Sequence, residues 1–226
     1  MPGKEGFLLL FQNSDCSYRG TAAASGDGVG NWIVSGGIGV DNSPLQTVKV
    51  LKENLTWVSG PNMPNALRFH CQVFFGTRVF IIGGFGTSGS TSSTLVLEDG
   101  EWREDRSPMQ TARSHHSCIP FARKIYSIGG LGVDNVLDSV EIYDPDTDLW
   151  EAGPALPNPV YEAQAVSYQN TLYLLGGVAN AQVFTLSADP GAQWEILEGV
   201  MVSEEIRKVF PAPLLTSEML FCEENI

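Results

Sequence analysis

Histidine and cysteine side chains occur together at two places in the chain, and this combination could bind a metal ion. His70 and Cys71 are adjacent, and Cys118 follows His116 by two residues. A metal site needs three or four ligands that converge, and the chain has no C-x-x-C pair. We therefore predict no metal at these residues, and we expect Cys71 and Cys118 to be small apolar core thiols.

Two further motifs match ligand-binding loops only in part. Gly84 to Gly89 reads G-x-G-x-x-G, but a dinucleotide site needs a helix next, and strand-like residues follow. Residues 144–148 read DPDTD, as at the start of a calcium loop, but Leu149 and Ala155 stand where glycine and glutamate are required. No nucleophile-elbow, zinc-protease or phosphate-loop motif is present. The sequence therefore predicts no cofactor and no catalytic residue.

A regular repeat underlies these residues. Glycine pairs begin at Gly36, Gly83, Gly129 and Gly176, in steps of 47, 46 and 47 residues. Tryptophans follow at Trp57, Trp102, Trp150 and Trp194. Short runs rich in Val, Ile, Tyr and Phe lie between turn residues, which is typical of strands. A period of roughly 40 to 50 residues with several short strands in each unit indicates the blades of a β-propeller.

The third unit has the fullest form of this repeat. It reads R…H…IYSIGG…VEIYDP.T..W…P.LP from Arg113 onward. A glycine pair, an aromatic residue and then a tryptophan, in this order, resemble the kelch motif, and the resemblance covers about residues 19–210. It implies an all-β fold, a kelch-type β-propeller of about five blades. We expect a single domain over residues 1–226, with repeats at residues 19–67, 68–112, 113–160 and 161–206.

The fifth blade is incomplete in the sequence. Residues 207–226 contain two β-prone runs, but Cys222 stands where a glycine pair is expected. Kelch rings usually close with one blade shared between the two chain ends, so we expect residues 7–18 to complete this blade. The alternative is a fragment with open blade edges, which would recruit other chains.

Loops on one face of the predicted propeller are the natural place for binding. In a four-stranded meander, the loop between the second and third strands opens on the same face as the link to the next blade. Loops on a rigid scaffold often carry recognition, and the resemblance implies partner binding on this face. The residues predicted to bind a partner are Asp41, Asn42, Asn65, Arg68, Ser90, Arg113, Asp134, Asn135, Tyr161 and Asn180. Arginine suits carboxylate-bearing ligands; the alternative is that Arg68 and Arg113 tie neighbouring blades together.

Composition limits the class of partner and the compartment. The net charge is −13, which disfavours nucleic acid and anionic membranes because both attract basic surfaces. No apolar run is long enough to span a bilayer, and FLLLF at residues 7–11 is too short for a signal-peptide core. We expect a soluble, cytoplasmic protein with reduced cysteines, although the sequon at Asn54 is a feature of secreted chains.

The resemblance implies a non-enzymatic protein-interaction module or scaffold, one form of which is the substrate-recognition part of a ubiquitin-ligase adaptor. Two alternatives stay open. Kelch-like propellers include copper oxidases that act on sugars and sugar-acid epimerases, and Tyr161, His116 and Cys118 could contribute to an oxidase site. A carbohydrate-binding propeller would need only Asn, Asp and aromatic loop residues. We predict that the chain is not an enzyme and that its partner is another protein.

Overall fold

The structure, a computed structural model, describes residues 22–26, 30–178 and 182–201. Every regular element within these residues is a β-strand. The strands form four four-stranded antiparallel sheets and one two-stranded ribbon, and one four-stranded sheet, or blade, falls within each of the four repeats. This confirms the all-β prediction. The described part of the chain has no helix that is long and apolar enough to cross a membrane.

The strands of each blade follow one another in chain order. Blade 1 contains β1 (Ala23–Gly26), β2 (Trp32–Ser35), β3 (Val48–Leu51) and β4 (Trp57–Ser59). Blade 2 contains β5 (Cys71–Phe75), β6 (Arg78–Ile82), β9 (Thr94–Glu98) and β10 (Glu101–Arg103), with the ribbon β7 (Phe85–Gly86) and β8 (Gly89–Ser90) between β6 and β9. Blade 3 contains β11 (Ser117–Phe121), β12 (Lys124–Ile128), β13 (Val140–Asp144) and β14 (Leu149–Ala152). Blade 4 contains β15 (Gln164–Tyr168), β16 (Thr171–Leu175), β17 (Gln182–Ser187) and β18 (Glu195–Met201).

The first strands of the four blades form the inner wall of the propeller. β5 contacts β1 on one side and β11 on the other, and β11 contacts β15. Residues of all four first strands line one central cavity. This cavity lies in the central channel of the propeller. Each blade is a meander that leads outward from the channel, so the fourth strand lies at the rim.

The glycine pairs follow the second strand of each blade, where the next link crosses closely. Gly83 has φ +59°, and a Cβ there would lie 2.6 Å from the carbonyl oxygen of Arg113 and 2.8 Å from Cε1 of His116. His70 lies in the same way against Gly36, whose added Cβ would be 2.6 Å from its Cε1. His70 and His116 are therefore packing residues that fill the space above a glycine of the preceding blade.

The tryptophans near the rim join each blade to the one before it. Trp102 donates its Nε1–H to the carbonyl of Pro61 at 2.8 Å. Trp150 donates to the carbonyl of Ser107 at 2.9 Å, and its ring centroid lies 5.0 Å from that of Tyr143. Trp102 and Trp150 thus connect blade 2 to blade 1 and blade 3 to blade 2. The predicted fifth blade, residues 207–226 with residues 7–18, lies outside the described residues.

Candidate functional site

The loops that the sequence assigns to one face do pack together. Arg68 N–H donates to the Phe85 carbonyl at 3.0 Å, and Phe85 N–H donates back at 2.7 Å, which joins a blade-to-blade link to the loop after β6. Ser114 and Leu131 pair in the same way in blade 3, at 3.0 and 2.7 Å. We call the side of the propeller that carries these links and loops the link face.

The predicted binding residues differ in how far they reach solvent. Those that are exposed are Asp41, Asn42, Asn65, Asp134 and Asn135. Those that are half-buried are Arg68, Ser90 and Tyr161. Asn180 lies outside the described residues.

Arg113 corrects the sequence-based prediction, because its side chain is fully buried. It donates to the carbonyls of Gly129 and Ser139 at 3.0 and 2.9 Å, and to Glu141 Oε1 at 2.7 Å. A buried side chain with these partners does not contact a ligand. All of these partners belong to blade 3, so this arginine ties the link before blade 3 to that blade and does not, as the alternative held, tie neighbouring blades together.

A one-residue offset explains why Arg68 and Arg113 differ. Arg68 precedes Gly83 by 15 residues, whereas Arg113 precedes Gly129 by 16. The residue that matches Arg113 in the preceding link is Leu67, which is also buried. A shift of one residue along an extended chain turns a side chain to the opposite side, so Arg113 points into the protein and Arg68 does not.

Three equivalent link residues form a backbone ladder around the channel. They are Phe69, His115 and Glu162, each 15 residues before the second glycine of its blade. His115 N–H donates to the Phe69 carbonyl at 3.0 Å, and Glu162 N–H donates to the His115 carbonyl at 2.8 Å. Their φ angles are 52°, 53° and 55°. Non-glycine residues in this conformation are uncommon and occur often at functional sites.

Side chains of this ladder and its neighbours form one group at the mouth of the channel, which we call the channel-mouth cluster: Arg68, Phe69, Phe85, His115, Tyr161 and Glu162. The His115 ring stacks on Phe69 with centroids 3.6 Å apart and meets Tyr161 edge-on at 6.4 Å. The Arg68 guanidinium carbon lies 5.6 Å from the Phe69 centroid and 5.1 Å from that of Phe85. The cluster presents one cation among aromatic surfaces.

The protonation of His115 follows from its position in the cluster. Burial, followed by the charge of Arg68, lowers the pKa of His115 to about 4. The ring is therefore neutral at pH 7, and its 3.8 Å approach to the Glu162 carboxylate is not an ion pair. Burial also raises the pKa of Glu162. Arg68 therefore carries the positive charge of the cluster at pH 7.

Beneath the cluster, the channel holds a cavity of about 160 Å³. Its lining includes Ala23 of β1, Gln72 of β5, Ser117 of β11 and Gln164 of β15. His70 and His116 also border it. Burial lowers the pKa of His70 to about 4 and that of His116 well below its usual value, so both imidazoles are neutral at pH 7.

Cys71 and Cys118 are joined by a disulfide in the wall of this cavity, with Cα atoms 5.9 Å apart. Cys71 lies on β5 and Cys118 on β11, the first strands of neighbouring blades. The expectation that they are free thiols is wrong, because Cys71 points forward from β5 and Cys118 points back from β11 into the same space. Disulfides are typical of oxidising compartments. This bond therefore gives no support to the cytoplasmic localisation, which remains a prediction from the sequence.

Other candidate ligand sites are explained by local packing. Tyr161, His116 and Cys118 do not form an open ligand set, because the Cys118 sulfur is bonded to Cys71. Residues 22–26, 30–178 and 182–201 contain no cluster of three His, Cys, Asp or Glu side chains arranged for a metal ion. The glycine-rich motif forms the β7–β8 ribbon and leads into β9, as its sequence indicated. Asp144 accepts the Asp146 N–H at 2.9 Å, so it stabilises a turn.

Sequence reasoning missed Phe69, Phe85, His115 and Glu162 as members of a site. The signal that could have found Phe69 and Glu162 is their constant distance from the glycine pair, which His115 shares. Phe85 directly follows a glycine pair, but its place beneath Arg68 depends on how the link folds back over blade 2. The sequence spacing of Arg68 and Phe85 does not predict this contact.

Comparisons with known proteins agree with this architecture. Residues 112–157 match the family model described as "Kelch motif". The solved structure described as "Structure of YjhT" has a TM-score of 0.69, is 15% identical, and is matched over 81% of this chain and 65% of that one. This likeness confirms the propeller fold.

Several curated proteins resemble the chain over about half of its length or more. Kelch-like protein 33 of Homo sapiens is 33% identical over 134 residues, which are 56% of this chain and 25% of that protein. Beta-scruin of Limulus polyphemus is 29% identical over 49% of this chain and 13% of its own length. Kelch repeat and BTB domain-containing protein 12 of Danio rerio is 30% identical over 65% of this chain and 27% of its own. The chain thus matches between 13% and 27% of the length of these relatives, and its similarity to them and to the family model is to kelch-repeat proteins.

Proposed function

We propose that this propeller is a non-enzymatic interaction module that binds another protein through the channel-mouth cluster and the surrounding link face. The observation that carries the proposal is Arg68, which lies over two aromatic rings at the mouth. Within the described residues it pairs with no carboxylate, and its buried Nε has no hydrogen-bond partner. A ligand carboxylate that reaches the terminal nitrogens of this guanidinium would form charge-assisted hydrogen bonds, which are stronger than neutral ones.

The cluster favours a partner segment that presents one carboxylate next to an apolar or aromatic side chain. The carboxylate would meet Arg68, and the apolar group would lie against Phe69, His115 or Tyr161. Arginine and tyrosine are enriched among the residues that dominate binding energy in interfaces. The net charge of −13 would repel a strongly acidic partner, but charges farther away than about 8 Å are largely screened at physiological ionic strength. One carboxylate is therefore compatible with this surface.

The exposed polar residues around the mouth suit the rim of such an interface. Asp134 and Asn135 lie in the loop between β12 and β13, and Asn65 lies in the link before β5. Rim positions of interfaces are typically polar and accessible to solvent. A role as the substrate-recognition part of a ubiquitin-ligase adaptor is a finer form of this proposal. Support for it is limited to relatives whose names combine kelch repeats with a BTB domain.

The test compares capture of partners by three forms of the full chain. One carries Arg68→Ala with Asn135→Ala, and the control carries Arg123→Ala, which removes an exposed arginine in the β11–β12 turn, away from the link face. Proteins captured by the wild type are purified, and their affinity for each folded form is measured by calorimetry. We expect the link-face variant to lose at least about 10-fold in affinity, as for the loss of a central contact, and the control to bind like the wild type.

Equal affinity of the link-face variant and the wild type would overturn the proposal. Failure to capture any partner with all three folded forms would also count against a protein-binding role. Melting curves of the two variants must match that of the wild type, so that a loss of affinity reports the surface and not the fold.

A further inference from the structure

Neighbouring first strands meet at equivalent strand positions, but the residue types at these positions differ from one junction to the next. Ser117 opens β11 as Cys71 opens β5, and Gln72 is the second residue of β5 as Cys118 is of β11. The first of these positions points forward to the next blade, and the second points back to the preceding blade. At the junction of blades 2 and 3, both positions are cysteine.

Hydrogen bonds connect the neighbouring first strands at the other two described junctions. Between blades 1 and 2, Gln72 Nε2 donates to Ser25 Oγ at 2.8 Å. Between blades 3 and 4, Ser117 Oγ donates to the Ala163 carbonyl at 2.5 Å and accepts the Ala165 N–H at 3.2 Å. Within the described residues, the Cys71–Cys118 bond is thus the one covalent link between inner strands. A thiol can cleave this disulfide, whereas the hydrogen bonds at the other two junctions do not react with thiols.

This junction also carries the closest contact of the channel-mouth cluster. Phe69 precedes Cys71 by two residues, and His115 precedes Cys118 by three. The stacked rings of Phe69 and His115 and the hydrogen bond from His115 N–H to the Phe69 carbonyl therefore span the same gap as the disulfide. A change in the distance between β5 and β11 would therefore directly alter the ring stacking and this hydrogen bond.

A small reductant can approach the sulfurs through the channel. Both cysteines line the central cavity. Cys71 is 7% exposed, and Cys118 is half-buried. The pair is thus shielded from large molecules but borders a space that opens toward the mouth.

We propose that the Cys71–Cys118 disulfide is a redox-operated lock on the channel-mouth cluster. In the oxidised protein it holds blades 2 and 3 at the spacing that stacks His115 on Phe69. In the reduced protein the two thiols separate, and this side of the cluster loosens. The lock regulates partner binding only if the channel-mouth cluster binds a partner, as proposed above.

The reductant is a dithiol, and the exchange balances without any other reactant. A thiolate of the dithiol attacks one sulfur of the disulfide, and the other cysteine leaves as a thiolate that takes up a proton. The second thiol of the reductant then attacks the mixed disulfide and frees the remaining cysteine. The protein gains two electrons and two protons, and the dithiol becomes a disulfide.

The test follows the junction itself, so it does not require a known partner. The full chain is held oxidised, or reduced with dithiothreitol, under native conditions, and amide hydrogen exchange is measured by NMR. Reduction is expected to make the His115 amide exchange about 10-fold faster or more and to shift the His115 ring resonances that depend on stacking. The Glu162 amide, which bonds to the His115 carbonyl across the junction without a disulfide, should keep its rate.

A variant with Cys71→Ser and Cys118→Ser serves as the control, since it retains Cys16 and Cys222. Its His115 amide should exchange as fast as that of the reduced wild type, and dithiothreitol should leave this rate unchanged. Peptide mapping must assign the newly formed thiols to Cys71 and Cys118. The lock is refuted if the two cysteines are free in the oxidised protein, if they resist reduction while the chain is folded, or if reduction leaves the His115 amide and ring unchanged. If the lock operates but no partner binds the link face, the proposed function fails and the lock stands.

Discussion

Arg113 donates from Nη2 to Glu141 Oε1 across 2.7 Å, and the two side chains are 0% and 5% exposed. Glu141 also accepts the backbone N–H groups of Gln110 and Thr111, at 2.6 and 3.0 Å. The pair therefore ties the link before blade 3 to β13. It is a structural connection in the interior, and it explains why an arginine that opens a repeat in the sequence is absent from the binding face.

Replacement of Arg113 by alanine is expected to lower the free energy of unfolding by about 3–5 kcal/mol, because it leaves the buried Glu141 carboxylate without its cation. The control is Arg123→Ala, since Arg123 and its partner Asp146 are 90% and 75% exposed and 3.9 Å apart. Loss of an exposed pair costs about 1 kcal/mol or less. Urea denaturation measures both variants, and a cost for Arg113→Ala no larger than that of the control would contradict the assignment.

Two glycines with similar backbone angles allow the steric role of the glycine pair to be measured. Gly83 and Gly76 have φ of +59° and +66°, but a Cβ at Gly76 would meet nothing within 4 Å. Alanine at either site incurs the strain of a left-handed residue, about 1–2 kcal/mol. At Gly83 it also collides with the Arg113 carbonyl and the His116 ring, which should cost a further 1–3 kcal/mol or so. Equal losses in the two variants, by chemical denaturation, would show that the close approach does not matter.

The buried imidazole of His70 makes the stability of the propeller depend on pH. Burial lowers its pKa to about 4 in the folded protein, compared with about 6.5 in an unfolded chain. Between these values the unfolded state binds more protons, so stability is lost as the pH falls below about 6.5. At pH 5 the loss from His70 alone should be about 2 kcal/mol relative to pH 7.5.

The measurement is the difference in unfolding free energy between pH 7.5 and pH 5, for the wild type and for His70→Gln. The variant should show a pH-dependent loss that is smaller by about 2 kcal/mol, whatever its stability at pH 7.5. His115 and His116 remain in both proteins, and the low pKa of His116 is caused mainly by its burial, with a smaller contribution from His70. An unchanged pH dependence would mean that His70 is not buried in its neutral form.

The blades were predictable because their determinants are local and repeated. Glycine pairs mark the end of each second strand, and short β-prone runs between turn residues mark the strands themselves, so each blade could be outlined from a stretch of fewer than 50 residues. The link face was predictable for the same reason, since a meander places alternate loops on opposite sides. Asp41, Asn42, Asp134 and Asn135 are exposed in loops between second and third strands, as that argument expects.

The channel-mouth cluster and the state of the cysteines depend on contacts between blades. Arg68 and Arg113 have similar sequence surroundings, but one residue of offset relative to the glycine pair turns the first toward the mouth and the second into the interior. Cys71 and Cys118 lie one period apart, a spacing equally compatible with free thiols and with a bond. Local patterns therefore suffice for the strands, the blades and the loop face. Packing of β5 against β11 decides which side chains meet, because the rotation and separation of neighbouring blades arise from contacts spread over both.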